Sequence, residues 1–118
     1  MAKILVVDDD ELIRKLLLKY LEGRGHQVTI CSNGVNAISI VDDGNTFDIC
    51  ILDFNIGGGF DGGSLRIFLS QFLPKETIYF LATSDERVEG FDRFFPKPFR
   101  MDDIGNAIED ELNKKGEE

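Results

Sequence analysis

The sequence predicts an α/β fold in which a parallel sheet carries helices on both faces. Short apolar runs of strand length alternate with segments of helical period along the chain, which is the pattern of β-α-β units. The runs are apolar at nearly every position, as in strands buried on both faces. Because 118 residues suit one core, we expect a single domain over residues 1–118.

Five strands are predicted, at residues 3–7, 28–31, 49–52, 77–82 and 94–95. Apolar residues spaced by three and four indicate four helices. Their stripes are Leu12, Ile13, Leu16, Leu17 and Leu21; Ala37, Ile38 and Val41; Leu65, Phe68, Leu69 and Phe72; and Met101, Ile104, Ile108 and Leu112. The charged tail from Lys114 to Glu118 is expected to fray.

The connection between the fourth and fifth strands is too short for a helix. Only thirteen residues separate Thr83 from Lys97, and residues 84–91 show no apolar stripe. A parallel crossover normally needs at least about 10–12 residues, helix included. We therefore expect a loop or a single turn in place of the helix that would follow the fourth strand.

Composition excludes several classes of partner. The formal charge of −9 argues against a nucleic-acid surface and an anionic membrane, since both attract clustered Lys and Arg. No apolar run approaches the roughly 20 residues that span a bilayer. Cys31 and Cys50 fall on strands that we expect not to be neighbours, which predicts free thiols in a reducing, cytoplasmic compartment. His26, in a glycine-flanked turn, is expected on the surface.

Polar side chains follow four of the five strands. Asp8 and Asp9 follow the first strand, Asp53 the third, Thr83 the fourth and Lys97 the fifth. The carboxyl ends of parallel strands meet at one edge of the sheet, where ligands bind at the topological switch point. In the strand order 2-1-3-4-5, that point lies between the two strands that end in aspartate.

Three clustered carboxylates repel one another unless a cation lies among them. Carboxylate oxygens suit Mg²⁺, which favours a site shared with a phosphate. Lys97 and Thr83 could neutralise and hydrogen-bond phosphoryl oxygens. Asp53, on the central strand, is then the best nucleophile, with Asp8 and Asp9 holding the metal.

The segments ILVVDDD, ILDFN, LATS and FPKPF resemble those of response-regulator receiver domains of two-component signalling. The resemblance covers nearly the whole chain and implies the flavodoxin-like (βα)5 three-layer sandwich of CheY-like proteins. It implies that Asp53 is the phosphoacceptor and that Asp9 binds Mg²⁺ directly, whereas Asp8 acts mainly through water. It also implies that the backbone carbonyl of Asn55 binds the metal.

The same resemblance assigns roles to the fourth and fifth strands. Thr83 matches the switch hydroxyl, Phe94 falls at a switch aromatic, and Lys97 matches the phosphate-contacting lysine, followed by a cis peptide to Pro98. The implied function is to accept a phosphoryl group from a sensor histidine kinase, a phosphotransfer protein or a small phosphodonor. The domain would then switch to control an unknown downstream protein, with slow autodephosphorylation but no turnover as an enzyme.

The sequence departs from the family at two places. Gly57 stands where a proline is usual, in a loop that is one residue longer. The shortened connection after the fourth strand resembles a subgroup of single-domain receivers with a Phe-Ala-Thr-like motif, here Phe80-Leu81-Ala82-Thr83. Partner recognition should differ accordingly.

Several alternatives stay open. Asp8, Asp9 and Asp10 could include a helix cap, and Phe94 could be a core aromatic rather than a switch. The chain could be a degenerate receiver that acts only as an interaction module. Less favoured is an aspartate-nucleophile phosphatase of the haloacid-dehalogenase type, since Asp8 and Asp10 have the spacing of its acid pair. The sequence leaves open whether the chain is a stand-alone regulator or an excised receiver.

Overall fold

The computed structural model describes residues 1–116 and confirms the predicted fold. Five parallel strands form one sheet in the order β2-β1-β3-β4-β5. The strands are β1 (Lys3–Val7), β2 (Gln27–Cys31), β3 (Ile49–Leu52), β4 (Ile78–Thr83) and β5 (Arg93–Pro96). The helices are α1 (Glu11–Gly23), α2 (Gly34–Asp42), α3 (Gly62–Ser70) and α4 (Met101–Gly116).

Each face of the sheet buries its own core. Alternate strand residues point to opposite faces, so the central strands need apolar side chains throughout. On one face Leu5, Cys50 and Leu52 pack with residues of α2 and α3. On the other face Ile4 and Ile51 pack with residues of α1 and α4. Two-sided burial therefore explains why these strands read as unbroken apolar runs.

The connection between β4 and β5 contains no helix, as the sequence predicts. Residues 84–92 form bends and one turn. Phe91 packs against the core beneath α2 and α3, and the Arg66 guanidinium lies 5.7 Å from the centre of its ring. Asp92 ends the segment in register with the sheet, since its backbone N–H donates to the Tyr79 carbonyl at 2.8 Å.

Only part of the apolar stripe on α1 is buried in the core. Leu17 and Leu21 are fully buried, whereas Leu12 is 64% and Leu16 45% exposed. At about 100° per residue the five apolar positions spread over roughly half the helix circumference, so one flank stays outside the core. Phe72, predicted on the third helix, lies beyond α3 and is likewise exposed.

The surface location predicted for His26 is wrong. Gly25, with φ of 91°, turns the chain just before β2, and His26 is buried. The Ala2 backbone N–H donates to His26 Nδ1 at 3.0 Å, and His26 Nε2 lies 3.3 Å from Glu109 Oε1 on α4. The turn therefore points the imidazole under the amino terminus rather than outwards.

The prediction that the two cysteines are free thiols on strands that are not neighbours is confirmed: Cys31 on β2 and Cys50 on β3 are buried and separated by β1. Lys114 and Lys115 are helical rather than frayed, whereas Glu117 and Glu118 lie outside the described residues. None of the helices within residues 1–116 is both long and apolar enough to cross a membrane.

Candidate functional site

The sheet brings the predicted site residues to one edge. The Asp53 backbone N–H donates to the Val7 carbonyl at 3.0 Å, and the Asp8 N–H donates to the Cys31 carbonyl at 3.2 Å. These bonds continue the strand pairing one residue beyond β3 and β1. The acidic residues therefore leave the sheet from a rigid backbone, which fixes where their carboxylates start.

Lys97 joins two of the carboxylates. Its Nζ lies 2.7 Å from Asp8 Oδ2 and 2.7 Å from Asp53 Oδ2, and both aspartates are buried. The Lys97 backbone is held by its N–H, which donates to the Thr83 carbonyl at 2.9 Å, and the Lys97–Pro98 peptide is cis, as expected. The ammonium thus joins the carboxylates that follow β1 and β3.

Burial and pairing act in opposite directions on these charges. Burial alone would lower the pKa of Lys97, but hydrogen bonds to Asp53 and Asp8 outweigh it and raise the pKa. The ammonium is therefore charged at neutral pH. Burial raises the pKa of Asp8, although hydrogen bonds from Lys97 and the Asp10 N–H oppose that effect.

Asp8, Asp9 and Asp53 form a group that fits a divalent cation. One carboxylate oxygen from each lies within 4.8 Å of the others. When ionised, the three carry three negative charges against the single positive charge of Lys97. Asp9 is exposed, so the group opens to solvent. Hard oxygen donors with a net negative charge are the ligand set that Mg²⁺ prefers.

The third aspartate of the run has a different task. Asp10 is the N-cap of α1, and its Oδ1 accepts from the backbone N–H of Leu12 at 2.9 Å and of Ile13 at 3.4 Å. The capping interpretation therefore applies to Asp10. Arg14, which the sequence reasoning did not single out, donates from Nη1 to the Asp8 carbonyl at 2.8 Å and ties α1 to the acidic edge.

The loop after β3 folds back tightly on the end of that strand. Three consecutive glycines from Gly57 to Gly59 have φ between 65° and 86°, a region that side chains disfavour. The Gly62 N–H donates to the Phe54 carbonyl at 2.7 Å. A Cβ at Gly62 would overlap the Asp53 carbonyl oxygen. The glycine run thus lets α3 begin directly against the backbone that carries Asp53.

Asn55 and Thr83 lie beside the acidic group. The Asn55 backbone N–H donates to Asp53 Oδ1 at 3.4 Å. Thr83 is fully buried, and its Oγ1 accepts from the Asp85 backbone N–H at 3.2 Å. The Asn55 side-chain amide also donates to the Asp85 carboxylate, a residue that the sequence reasoning missed. The available signal in the sequence was spacing: Asp85 lies two residues after Thr83, just as Asn55 lies two residues after Asp53.

Phe94 is separated from the neighbouring aromatic core. Phe95 packs on Phe80 with ring centres 5.2 Å apart, and adjacent strand residues face opposite sides. Phe94 is half-buried and belongs to neither core among the described residues. This placement disfavours the core-aromatic alternative and leaves the switch role a prediction.

Comparison with known proteins identifies the family. The family model described as "Response regulator receiver domain" matches residues 4–109. The chain therefore belongs to the response regulator receiver domain family.

The fold of this chain is similar to that in the crystal structure of a CheY-like receiver domain protein from Methanospirillum hungatei. The TM-score is 0.89 at 20% sequence identity, and the match covers 99% of this chain and 98% of that one.

Two curated relatives carry the similarity in longer proteins. The transcriptional activator protein PfeR of Pseudomonas aeruginosa is 30% identical over 108 residues, covering 86% of this chain and 35% of PfeR. The sensor kinase CckA of Brucella abortus is 27% identical over 124 aligned positions, covering 97% of this chain and 13% of CckA. The chain thus spans about a third of PfeR and a smaller part of CckA.

Proposed function

We propose that the chain is a Mg²⁺-dependent phosphoacceptor of a two-component system. Asp53 receives a phosphoryl group from a sensor histidine kinase, a phosphotransfer protein or a small phosphodonor. The resulting change of conformation controls a downstream protein. The observation that carries the proposal is the Lys97 ammonium, 2.7 Å from both Asp53 and Asp8, beside three clustered carboxylates.

The chemistry requires a nucleophile and a means of neutralising charge. A carboxylate oxygen of Asp53 attacks phosphorus, an acyl phosphate forms, and the bond from phosphorus to the donor breaks with its electron pair leaving on the donor. Lys97, already hydrogen-bonded to Asp53, neutralises the phosphoryl oxygens. The carboxylates of Asp8, Asp9 and Asp53 with the Asn55 carbonyl would hold Mg²⁺, which supplies further neutralisation of phosphoryl charge.

The switch that follows is a shift between two conformations. Thr83 moves toward the phosphoryl group so that its hydroxyl donates to a phosphoryl oxygen. The vacated space lets β4 and β5 repack, together with the half-buried Phe94. The signal then reaches a partner through a face without the crossover helix.

The phosphatase alternative is disfavoured by Asp10. Its Oδ1 caps α1, so the second acid that this alternative requires is engaged by backbone N–H groups.

We propose slow autodephosphorylation without enzymatic turnover. The buried free thiols support a reducing, cytoplasmic location.

Intact-mass spectrometry after treatment with acetyl phosphate tests the proposal. The wild-type protein with Mg²⁺ should gain the mass of one phosphoryl group. Asp53→Asn should gain none, and a chelator should abolish the gain by wild type. Asp42→Asn, which alters an exposed carboxylate on α2, should behave as wild type.

Two outcomes contradict the proposal. One is a protein that never gains a phosphoryl group under these conditions, which would favour a degenerate receiver. The other is turnover of an aryl phosphate that survives Asp53→Asn but not Asp8→Asn, which would favour the phosphatase.

A further inference from the structure

A hydrogen-bonded bridge crosses the mouth of the acidic site. It joins the loop after β3 to the segment 84–92 after β4. The Asn55 side-chain amide donates to the Asp85 carboxylate, and the Asp85 backbone N–H donates to Thr83 Oγ1 at 3.2 Å. Asn55 in turn donates its backbone N–H to Asp53 Oδ1 at 3.4 Å. Asp85 therefore links Thr83 to the residue beside the proposed acceptor.

We infer that Asp85 is a positioning residue that holds Thr83 in its unphosphorylated orientation; this inference rests on the proposed function. Movement of Thr83 toward a phosphoryl group on Asp53 breaks the contact between Oγ1 and the Asp85 N–H. The Asn55 amide keeps Asp85 in place and so opposes that movement. The bridge from Asn55 through Asp85 to Thr83 therefore raises the free energy of the switched conformation relative to that of the unswitched one.

The missing crossover helix makes this side-chain contact important. Residues 84–92 have no helical hydrogen bonds to fix the backbone of Asp85. At the far end the segment is anchored by Phe91 in the core and by Asp92, whose Oδ2 accepts from the Tyr79 N–H at 2.8 Å. At the near end the described side-chain anchors are those of Asp85 and Thr83.

The charge of Asp85 acts in the same direction. The carboxylate is exposed at the mouth of the site and repels an anionic phosphodonor. Its removal should therefore accelerate phosphorylation both by release of Thr83 and by weaker repulsion. Release of Thr83 and weaker repulsion can be distinguished with two kinds of variant. One keeps an acceptor oxygen at position 85 but removes its charge, and the other removes a neighbouring charge but leaves Asp85 intact.

The test measures the rate of Asp53 phosphorylation by acetyl phosphate with Mg²⁺. Asp85→Ala should be at least about fivefold faster than wild type, since the loss of one hydrogen bond of ordinary strength already corresponds to that ratio and weaker repulsion adds to it. Asp85→Asn keeps an acceptor for Asn55 and should accelerate less. Glu86→Gln removes an exposed neighbouring charge and should match wild type. An equal rise in all three variants, or none in Asp85→Ala, would overturn the inference.

A double-mutant cycle tests whether Asn55 and Asp85 act through one contact. Asn55→Ala should change the rate in the wild-type background and have no further effect in the Asp85→Ala background. Fully additive effects would show that the two side chains act independently, contrary to the inference.

Amide hydrogen exchange at position 85 needs no phosphorylation. In the unphosphorylated protein the protection of this amide should be about fivefold lower in Asp85→Ala than in Glu86→Gln, because loss of one hydrogen bond lets its bond to Thr83 open more often. If wild type never gains a phosphoryl group, the proposed function fails while this measurement still tests the bridge. If wild type is phosphorylated but exchange at position 85 is unchanged, the positioning role fails alone.

Discussion

At the scale of single residues, His26 connects the amino terminus to α4 through an uncharged imidazole. Nδ1 accepts the Ala2 N–H at 3.0 Å and must be unprotonated to do so. Burial lowers the pKa of His26, and the nearby N-terminal charge lowers it further, whereas Glu109 opposes both. The folded state therefore favours the neutral ring.

This preference makes stability depend on pH. The folded pKa is below the ordinary value of about 6.5, so the unfolded chain binds the proton first as the pH falls. The stabilising contribution is thus complete above about pH 6.5 and is lost as the pH falls through the folded pKa. We expect urea denaturation to show a smaller free energy of unfolding at about pH 5.5 than at about pH 7.5.

The matched variant is His26→Gln, which offers an acceptor to Ala2 but does not titrate. Its stability should change less between the two pH values than that of wild type, since the variant lacks the titrating imidazole and is otherwise the same protein. Equal changes in the two proteins would show that His26 is not the group responsible.

At the scale of elements, α3 depends on a glycine at its first position. A Cβ at Gly62 would overlap the Asp53 carbonyl oxygen, and backbone has little room to yield where it continues the central strand. Gly62→Ala should lower the free energy of unfolding by about 1–3 kcal/mol, measured by urea denaturation.

Gly23 at the end of α1 provides the control. A Cβ there meets no atom within 4 Å, and Gly23 is helical, so Gly23→Ala should be neutral or stabilising by up to about 1 kcal/mol. Equal stability of the Gly62→Ala and Gly23→Ala proteins would contradict the close approach of α3 to the backbone of Asp53.

The elements that sequence reasoning located well are those fixed by burial. β1 is bounded by its apolar run and by the aspartates that follow. The β4 prediction was shifted by one residue, because Thr77 precedes the strand and Thr83 ends it. Helix stripes were less informative, since spacing alone does not distinguish the core-facing Leu17 from the exposed Leu12.

At the scale of the whole molecule, the two faces of the sheet are covered unequally. α1 and α4 cover one face. The other carries α2 and α3, with segment 84–92 where a third helix would lie. Local stability follows buried contacts and protected hydrogen bonds. The free energy of local unfolding should therefore be lowest in the segment that covers β4 and β5.

Hydrogen exchange followed by mass spectrometry measures this difference. Peptides from β1 and β3, buried in the middle of the sheet, should exchange slowest. A peptide from residues 84–91 should exchange at least about a hundredfold faster, and one from α1 should be intermediate. Protection across residues 84–91 equal to that of α1 would contradict the absence of a helix.

The topology also explains how much of the candidate site was predictable. Asp8, Asp9, Asp53 and Lys97 lie where parallel strands end, and any chain with this strand order brings those ends together. The bridge through Asp85 depends instead on the conformation of two irregular loops. The position of His26 depends on the direction in which one glycine turn points. Neither is encoded in a periodic pattern.

The burial of both native thiols has a practical consequence for labelling. Burial raises the pKa of Cys31 to about 11 and also raises that of Cys50, so neither supplies much thiolate to an alkylating reagent at neutral pH. A cysteine introduced at the exposed Ser84 would therefore take up a maleimide fluorophore selectively. Cys31 and Cys50 should therefore add little background to the signal of such a reporter.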